Sequence, residues 1–246
     1  MVQMRQTVKG EISIHGEGFV KGLAIDAVIF GFHEDQLKIL LIKHGGTDLF
    51  ALPGGYIFEK EDLTDAAKRI VLSKTGLNDI FLEQFQVFGD YRRNNRETIK
   101  IIMEGQGIPY HPEHWILGRF FSIGFYALVE YTKTIPTADS LSDSCAWHDV
   151  HDLPPLILDH SQIFEKALNT LKDSLDRKIG FNLLPETFTM ADLQKLYETI
   201  LGKPLSRSNF QRKILSLDIL ERIPTQQEKY DHRPPFLYKF KNVIAV

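Results

Sequence analysis

The stretch from Leu52 to Leu77, LPGGYIFEKEDLTDAAKRIVLSKTGL, constrains the fold of this chain more than any other. It begins with a loop around two adjacent glycines, which allow close backbone approach. An apolar stripe at helical spacing follows and ends at Gly76, and its members are Leu63, Ala66, Ala67, Ile70 and Val71. The stretch therefore predicts a glycine loop followed by an amphipathic helix with one buried face.

The spacing within this stretch resembles the Nudix box. That box begins with a Gly, five residues of any type and a Glu. Seven further residues of any type precede its second part, which is Arg-Glu, an aliphatic residue, any residue, Glu-Glu, any residue, Gly and an aliphatic residue. The matching positions are Gly55, Glu61, Arg69, Val71, Gly76 and Leu77. The three helical Glu positions of the box hold Ile70, Ser73 and Lys74 instead.

These three replacements argue against metal-assisted hydrolysis. Acids at i, i+3 and i+4 would share one helix face and hold Mg²⁺ beside a diphosphate. Ile70 cannot bind a metal, and Ser73 is a weak neutral ligand. Lys74 would repel a divalent ion by about 4 kcal/mol per unit of ion charge at 4 Å and an effective dielectric of ~20. We therefore predict no catalytic residue, no metal site and no cofactor, although the loop at Gly54 and Gly55 still suits a ligand.

Composition indicates a globular protein of 246 residues with one large or two small domains. The net charge is -3, but residues 179–246 carry more Lys and Arg than Asp and Glu, and the rest of the chain has the reverse balance. Cys145 is the single cysteine, so no disulfide within the chain can form. No signal peptide or run of about 18 apolar residues is present. We expect a soluble cytoplasmic protein with no membrane contact.

Strand-like segments surround the box. Residues 1–22 predict a loose N-terminal arm or an added edge strand, and residues 23–32 and 37–42 predict a hairpin of buried strands. Two further strands follow Gly76. Motifs near them resemble those of Nudix-related transcriptional regulators and of ADP-ribose-binding Nudix proteins: Glu83-Gln84, Phe88-Gly89-Asp90, Arg93 and Gly118-Arg119. An insertion between Asn94 and Leu117 departs from that pattern.

The resemblance implies an α/β fold, a Nudix α/β/α sandwich with a mixed sheet, over residues 23–178. It also implies a ligand site that contains Gly54, Gly55, Glu61, Arg93 and Arg119. The two arginines suit a phosphate, but arginines pair with surface acids at least as often. Two pairs of histidines spaced three apart, His111 with His114 and His148 with His151, are interpreted as exposed loop residues rather than metal ligands. A helix that starts after Ser161 closes this domain.

Residues 179–246 predict a second domain. Thr189 and Asp192 form a short capping box, and an apolar helix face then runs to Gly202. A second helix begins at Ser206, which is helix-turn-helix spacing. Its residues Phe210, Ile214 and Leu217 share one face, which we predict to be in the core. Two predicted strands follow, so the segment resembles a winged helix. The residues predicted to contact DNA are Lys203, Arg207, Ser208, Asn209, Gln211, Arg212, Lys213, Lys229 and Arg233.

The leading hypothesis is a ligand-responsive transcriptional regulator that binds operator DNA as a homodimer. The resemblance implies ADP-ribose or a related nucleotide as the effector, or a pentose such as arabinose, and the residues do not choose between them. The first alternative is an active Nudix hydrolase of a nucleoside diphosphate derivative, with Glu61 assisted by atypical acids such as Glu59, Asp62 or Asp90. The second is an interaction module without a small ligand, which leaves the DNA-like domain without a role.

Overall fold

A computed structural model describes residues 13–78, 80–175, 183–223 and 235–241. Ten strands and five α-helices are found in these ranges. The strands are β1 Phe19–His33, β2 Gln36–His44, β3 Phe50–Ala51, β4 Gly54–Phe58, β5 Phe81–Phe88, β6 Phe121–Val129, β7 Ser142–Asp149, β8 Phe188–Thr189, β9 Leu220–Arg222 and β10 Leu237–Phe240. The helices are α1 Leu63–Thr75, α2 Arg96–Gln106, α3 His160–Ser174, α4 Met190–Leu201 and α5 Arg207–Ser216.

A seven-stranded mixed sheet forms the centre of the first domain. Its main path is β3-β2-β1-β6-β5, with β4 paired to β1 and β7 paired to β2. The β1 and β6 strands run parallel, from Leu23 opposite Phe121 to Gly31 opposite Val129, and the other pairs are antiparallel. The predicted mixed sheet is confirmed.

The sheet is covered on both faces because successive side chains of β1 point to opposite sides. Ile25, Ala27 and Ile29 belong to apolar clusters that include α1 residues. Val28 and Phe30 belong to the cluster that includes α3. The result is the α/β/α sandwich that the family resemblance implies.

The predicted hairpin between β1 and β2 is confirmed, and its turn is tight. Glu34 and Asp35 both have positive φ, 48° and 60°. Two such residues define a type I′ turn, whose twist matches that of the flanking strands. The tip of this hairpin reaches the second domain, because the Thr199 hydroxyl donates to the Asp35 carbonyl oxygen at 3.1 Å.

The second domain has the predicted helix-turn-helix followed by strands. The side chain of Thr189 and that of Asp192 form the capping box of α4, and Gly202 ends this helix with a φ of 68°. Leu205 N donates to Glu198 Oε1 at 2.8 Å, which holds the turn before α5. β8, β10 and β9 form a small antiparallel sheet beside the helices.

Five expectations need correction. Gly54 and Gly55 begin strand β4 rather than lie in a loop, since they pair with Asp26 and Ile25 of β1. Residues 19–22 belong to β1 rather than to an arm, since Phe19 pairs with Phe58 of β4. The closing helix α3 begins at His160, so Ser161 lies inside the helix and Asp159 is the residue before it. The Asp159 carboxylate makes no capping hydrogen bond and pairs with Arg93. His114 is 2 % exposed, not a solvated loop residue. Leu217, expected in the core below α5, is 37 % exposed because the helix ends before it.

Some predictions lie outside the described residues. Lys229 and Arg233, two of the predicted DNA contacts, are in this group. The same holds for the predicted break between the domains, residues 179–182.

Candidate functional site

A cavity of about 340 Å³ lies between strands β1 to β4 and the helices α1 and α2. This volume is within the range of small-molecule pockets. Most of its walls are apolar, and the side chains include Ile42, Leu52, Ile70, Ile99, Ile102, Met103 and Ile157. The polar groups that line it are Asp26, His44, Arg69, Ser73, Lys74, Gln106, Asp139, Ser142 and His160.

Glu61 and Arg69, which occupy box positions, bind each other. Arg69 Nε and Nη2 donate to the two Glu61 carboxylate oxygens at 2.7 and 2.8 Å, and Nη2 also donates to the Tyr56 carbonyl oxygen. Burial alone would raise the pKa of Glu61, but Arg69 and the Phe58 amide outweigh it and the pKa is lowered. This pair fastens the loop after β4 to α1, so Glu61 has a structural role whether or not a ligand binds.

Lys74 stands where the box has its last Glu and holds a neighbouring loop. Its ammonium lies 2.5 Å from Asp139 Oδ2, and its backbone oxygen accepts from Thr137 N at 3.0 Å. Burial by itself raises the pKa of Asp139, but Lys74, Ser142 and the Leu141 amide bring it below its usual range. The replaced position therefore attaches residues 135–142 to the end of α1.

The inserted segment supplies the roof of the cavity through α2. Its docking depends on close backbone contact, because a Cβ on Gly105 would lie 2.5 Å from the Gly45 carbonyl oxygen. A Cβ on Gly46 would lie 2.6 Å from the Gly105 carbonyl oxygen. Both glycines are thus required for α2 to lie against the turn after β2.

One end of the cavity is polar and consists of His44, Lys74, Gln106 and Asp139, here called the polar end. Gln106 Nε2 donates to His44 Nδ1 at 3.1 Å and to the Leu141 carbonyl oxygen at 3.0 Å. Burial, followed by the nearby His160, lowers the pKa of His44 from 6.5 to about 4. His44 is therefore neutral at pH 7.

This pKa predicts an acid-dependent loss of stability. As the pH falls below 6.5, His44 binds a proton in the unfolded chain but stays neutral in the folded protein until about pH 4. Proton binding therefore favours the unfolded state over this range. We expect His44 to account for about 2 kcal/mol of lost stability between pH 7 and pH 5. Denaturant unfolding of His44→Asn at both pH values should show a correspondingly smaller loss. His151→Asn, at an exposed histidine, is the matched control and should leave the loss unchanged.

Asp26 forms a second buried polar cluster at the cavity. It accepts a hydrogen bond from the Ser122 hydroxyl and lies 3.6 Å from both His160 Nε2 and Arg93 Nη2. Leu52 N donates to His160 Nδ1 at 3.0 Å, which places the ring proton on Nε2, towards Asp26. Arg93 in turn binds both carboxylate oxygens of Asp159, at 2.8 and 3.0 Å.

The structure brings only part of the predicted ligand set to the large cavity. Gly54 and Gly55 line it. A Cβ on Gly54 would lie 2.7 Å from Asp26 Oδ1, and one on Gly55 would lie 3.2 Å from Ile70, so packing already demands glycine at both positions. Arg93 borders a second cavity of about 110 Å³ instead. Arg119 is exposed, where it donates to the Gly89 carbonyl oxygen and stacks on Phe121.

Sequence reasoning missed the polar end. In the sequence, Lys74 stands out only as a residue that repels a metal. His44, Gln106 and Asp139 have no spacing that indicates a shared site. Only the docking of α2 brings them to one place. Among the described residues no group of three or more His, Cys, Asp or Glu side chains is arranged to hold a metal ion.

The exposed side of α5, together with Lys203 in the turn before it, carries the predicted DNA contacts within the described residues. Phe210 and Ile214 are buried, and the Phe210 ring packs edge-on against Tyr197 of α4 at 5.0 Å. The exposed residues are Lys203, Arg207, Ser208, Asn209, Gln211, Arg212 and Lys213. No acid occurs from Lys203 to Lys213. This face can donate hydrogen bonds to phosphates and base edges.

The fold and the cavity define a class of protein in which a Nudix sandwich precedes a winged helix. A family model of the NUDIX domain matches residues 20–168, and one of the NrtR DNA-binding winged helix domain matches residues 180–240. The chain belongs to the Nudix family.

Similar proteins combine the same two parts. The chain is 28% identical over 227 residues to an ADPR responsive transcriptional repressor, NtrR, from Acinetobacter baylyi, covering 89% of this chain and 81% of that protein. The crystal structure of Shewanella oneidensis NrtR is 27% identical with a TM-score of 0.68, covering 89% of this chain and 94% of that one. The same protein complexed with a 27mer DNA gives 28% identity, a TM-score of 0.68, and coverage of 89% and 93%. The helices described here are not long and apolar enough to span a membrane.

Proposed function

We propose that this protein is a ligand-responsive transcriptional regulator. Its Nudix domain binds a small-molecule effector in the cavity under α2, and its winged helix binds operator DNA. The observation that carries the proposal is the exposed face of α5, which is basic and free of acids and lies on a helix-turn-helix. The similarity to a repressor and to a DNA-bound relative supports it.

The protein acts as a cytoplasmic homodimer in this proposal. Two recognition helices then enter adjacent major grooves, which places the half-sites about 10 base pairs apart or a multiple of that distance. In this proposal the sensor domain keeps its predicted range, residues 23–178, and the DNA-binding domain keeps residues 179–246. The arm, predicted over residues 1–22, ends before β1, which begins at Phe19.

Arg212→Ala should weaken binding to DNA that the protein selects from a random library. The loss should be about 1 to 3 kcal/mol if Arg212 contacts a base edge. If it contacts only phosphate, all sequences lose similarly and the salt dependence decreases. Electrophoretic mobility shift at several salt concentrations measures both. Lys68→Ala, at an exposed position of α1, is the control. Failure of the unmodified protein to select any sequence would contradict the regulator.

The sensor domain is not a hydrolase in this proposal. We expect no release of AMP or ribose 5-phosphate from ADP-ribose above background with Mg²⁺ or Mn²⁺, because α1 presents Ile70, Ser73 and Lys74 where acids are needed. Chromatography of the products measures this. A metal-dependent turnover that Glu61→Gln removes would establish the enzyme alternative instead.

α3 provides a physical connection between the cavity and the DNA-binding domain. Its first residue, His160, lines the cavity. At its other end the Leu175 carbonyl oxygen is 3.5 Å from the Tyr197 hydroxyl of α4. Residues of both α3 and α4 belong to one apolar cluster. A ligand that shifts His160 therefore changes the packing of α4 when it binds one arrangement of α3 and α4 more tightly than another.

The effector is ADP-ribose, a related nucleotide, or a pentose. ADP-ribose is suggested by the ADPR responsive relative from Acinetobacter baylyi. The pentose rests on the resemblance to the regulator family as a whole. Either one must alter the affinity for DNA in the concentration range in which it binds, since effector and DNA affinities are linked reciprocally.

A further inference from the structure

An open groove of about 490 Å³ lies between the end of α3, the end of α4 and the start of α5. It shares no lining residue with the cavity under α2. Its floor is apolar and consists of Leu175, Tyr197, Leu201 and Phe210. The groove therefore lies where the last helix of the sensor domain meets the helix-turn-helix.

The rim of this groove is basic. Lys172 comes from α3, Lys203 from the turn after α4, and Lys213 from α5. No Asp or Glu is among the described residues that line the groove. The ammonium groups of Lys172 and Lys203 make no ion pair or hydrogen bond with the part of the chain that the structure describes. A cleft lined by one sign of charge concentrates ions of the opposite sign, so this groove favours an anion.

The groove continues the surface of α5 that is predicted to contact DNA. Ser206, Asn209 and Lys213 also line the groove, and their spacing of three and four residues places them on one side of α5. Lys172 borders the same groove from α3. It is not among the DNA contacts predicted from the sequence, because it precedes the helix-turn-helix in the chain. Only the packing of α3 beside α5 adds it to this basic surface.

We propose that the groove binds a phosphate of the DNA backbone, and that Lys172 is a DNA contact supplied by the sensor domain. This inference rests on the proposed function and extends its DNA surface from the winged helix to α3. Lysine ammonium groups act as point charges without a fixed fork of donors, which suits a phosphate better than a base edge. The apolar floor can pack against the deoxyribose beside that phosphate. The contact therefore adds affinity for DNA of any sequence.

This contact places one electrostatic part of DNA binding on a helix that also reaches the effector cavity. His160, the first residue of α3, lines the cavity under α2. Lys172 lies ~18 Å further along the axis of the same helix. A ligand that moves α3 therefore moves a phosphate contact directly, in addition to changing the packing of α4.

Lys172→Gln tests the contact in the full-length protein, because it removes the charge. Fluorescence anisotropy measures binding to the selected DNA and to a shuffled duplex of the same length at several salt concentrations. We expect the slope of log affinity against log salt concentration to become shallower by about 1 on both duplexes. At ~0.1 M salt the affinity for both should fall about eightfold, which corresponds to the loss of one phosphate contact.

Two further variants separate charge from other effects of substitution. Lys172→Arg keeps the charge and should keep the slope of the unmodified protein. Lys166→Gln removes a charge from an exposed position on another side of α3, outside the groove, and should also leave the slope unchanged. Thermal unfolding shows whether each variant is folded.

Lysine acetylation of the unmodified protein, read by mass spectrometry, is a second measurement that needs no variant. DNA should protect Lys172 and Lys203 from the reagent and leave Lys166 reactive. Protection of Lys172 without DNA, rising with protein concentration, would show that a second copy of the chain covers the groove. Protection by inorganic phosphate, with an unchanged salt slope in Lys172→Gln, would show a site for small anions. Either result would overturn the proposal.

The proposal also fails if Lys172 stays reactive in the DNA complex, or if Lys172→Gln weakens binding to the selected DNA alone. The second result would assign Lys172 to base recognition instead of a phosphate. In each of these cases DNA binding by the unmodified protein preserves the proposed regulator. Absence of any DNA binding by the unmodified protein would remove the regulator itself and this contact with it.

Discussion

Replacing Arg93 by alanine should lower the free energy of unfolding by about 3 to 5 kcal/mol, the cost of breaking a buried ion pair from one side. The Arg93 side chain is 6% exposed and binds Asp159 through two hydrogen bonds. Its Nη1 also donates to the Phe120 carbonyl oxygen at 3.2 Å. Without it, the buried carboxylates of Asp159 and Asp26 lose their cation. Urea denaturation measures the change.

The neighbouring residue provides the control for this prediction. Arg92 is 74% exposed and lies 3.6 Å from Asp90, so Arg92→Ala should change stability by no more than about 0.5 kcal/mol. If Arg93→Ala is as stable as Arg92→Ala and yet loses affinity for a phosphorylated ligand, Arg93 is a ligand contact. The phosphate contact that the sequence suggests for Arg93 would then be correct, and a purely structural role would be wrong.

Replacing Lys74 by glutamate should destabilise the protein by about 3 kcal/mol, although it restores a box residue. The Lys74 side chain is 3% exposed, so a carboxylate there would be buried beside the Asp139 carboxylate instead of pairing with it. We expect the lower end of the usual range because the Asp139 side chain is 49% exposed and solvent screens the repulsion. Restoring acids at positions 70, 73 and 74 together should therefore unfold the protein rather than create a hydrolase.

Charge exchange separates this electrostatic effect from poor packing. Lys74→Glu combined with Asp139→Lys places opposite charges together again and should recover part of the lost stability. Lys68→Glu, at an exposed position of the same helix, should change stability by less than about 0.5 kcal/mol. A Lys74→Glu variant as stable as Lys68→Glu would show that Lys74 does not hold residues 135–142 in place.

Much of the fold was predictable because its signals are local. The hairpin of β1 and β2, the helix α1 and the capping box of α4 each depend on residues a few positions apart. The loss of the three box acids is equally local. The helix-turn-helix spacing also predicted which α5 residues are exposed, since Phe210 and Ile214 occupy its buried face.

The site was harder to predict because its contacts join distant parts of the chain. The insertion between Asn94 and Leu117 had no expected structure, yet its helix α2 forms the roof of the cavity. The arginines suggested a phosphate site. Arg93 instead pairs with Asp159, and Arg119 remains on the surface. Charge type shows that a side chain needs a partner, but it does not show which partner the fold provides.

The sequence by itself determined the two-part organisation, the missing acids and the acid-free helix α5, since periodicity and residue type decide each of these. Only the tertiary structure decided the partners of the polar groups. Lys74 meets Asp139 across 65 residues, Arg93 meets Asp159 across 66, and His44 meets Gln106 across 62. Buried polar groups must be paired, and the packing of α2 and α3 on the sheet selects the pairs.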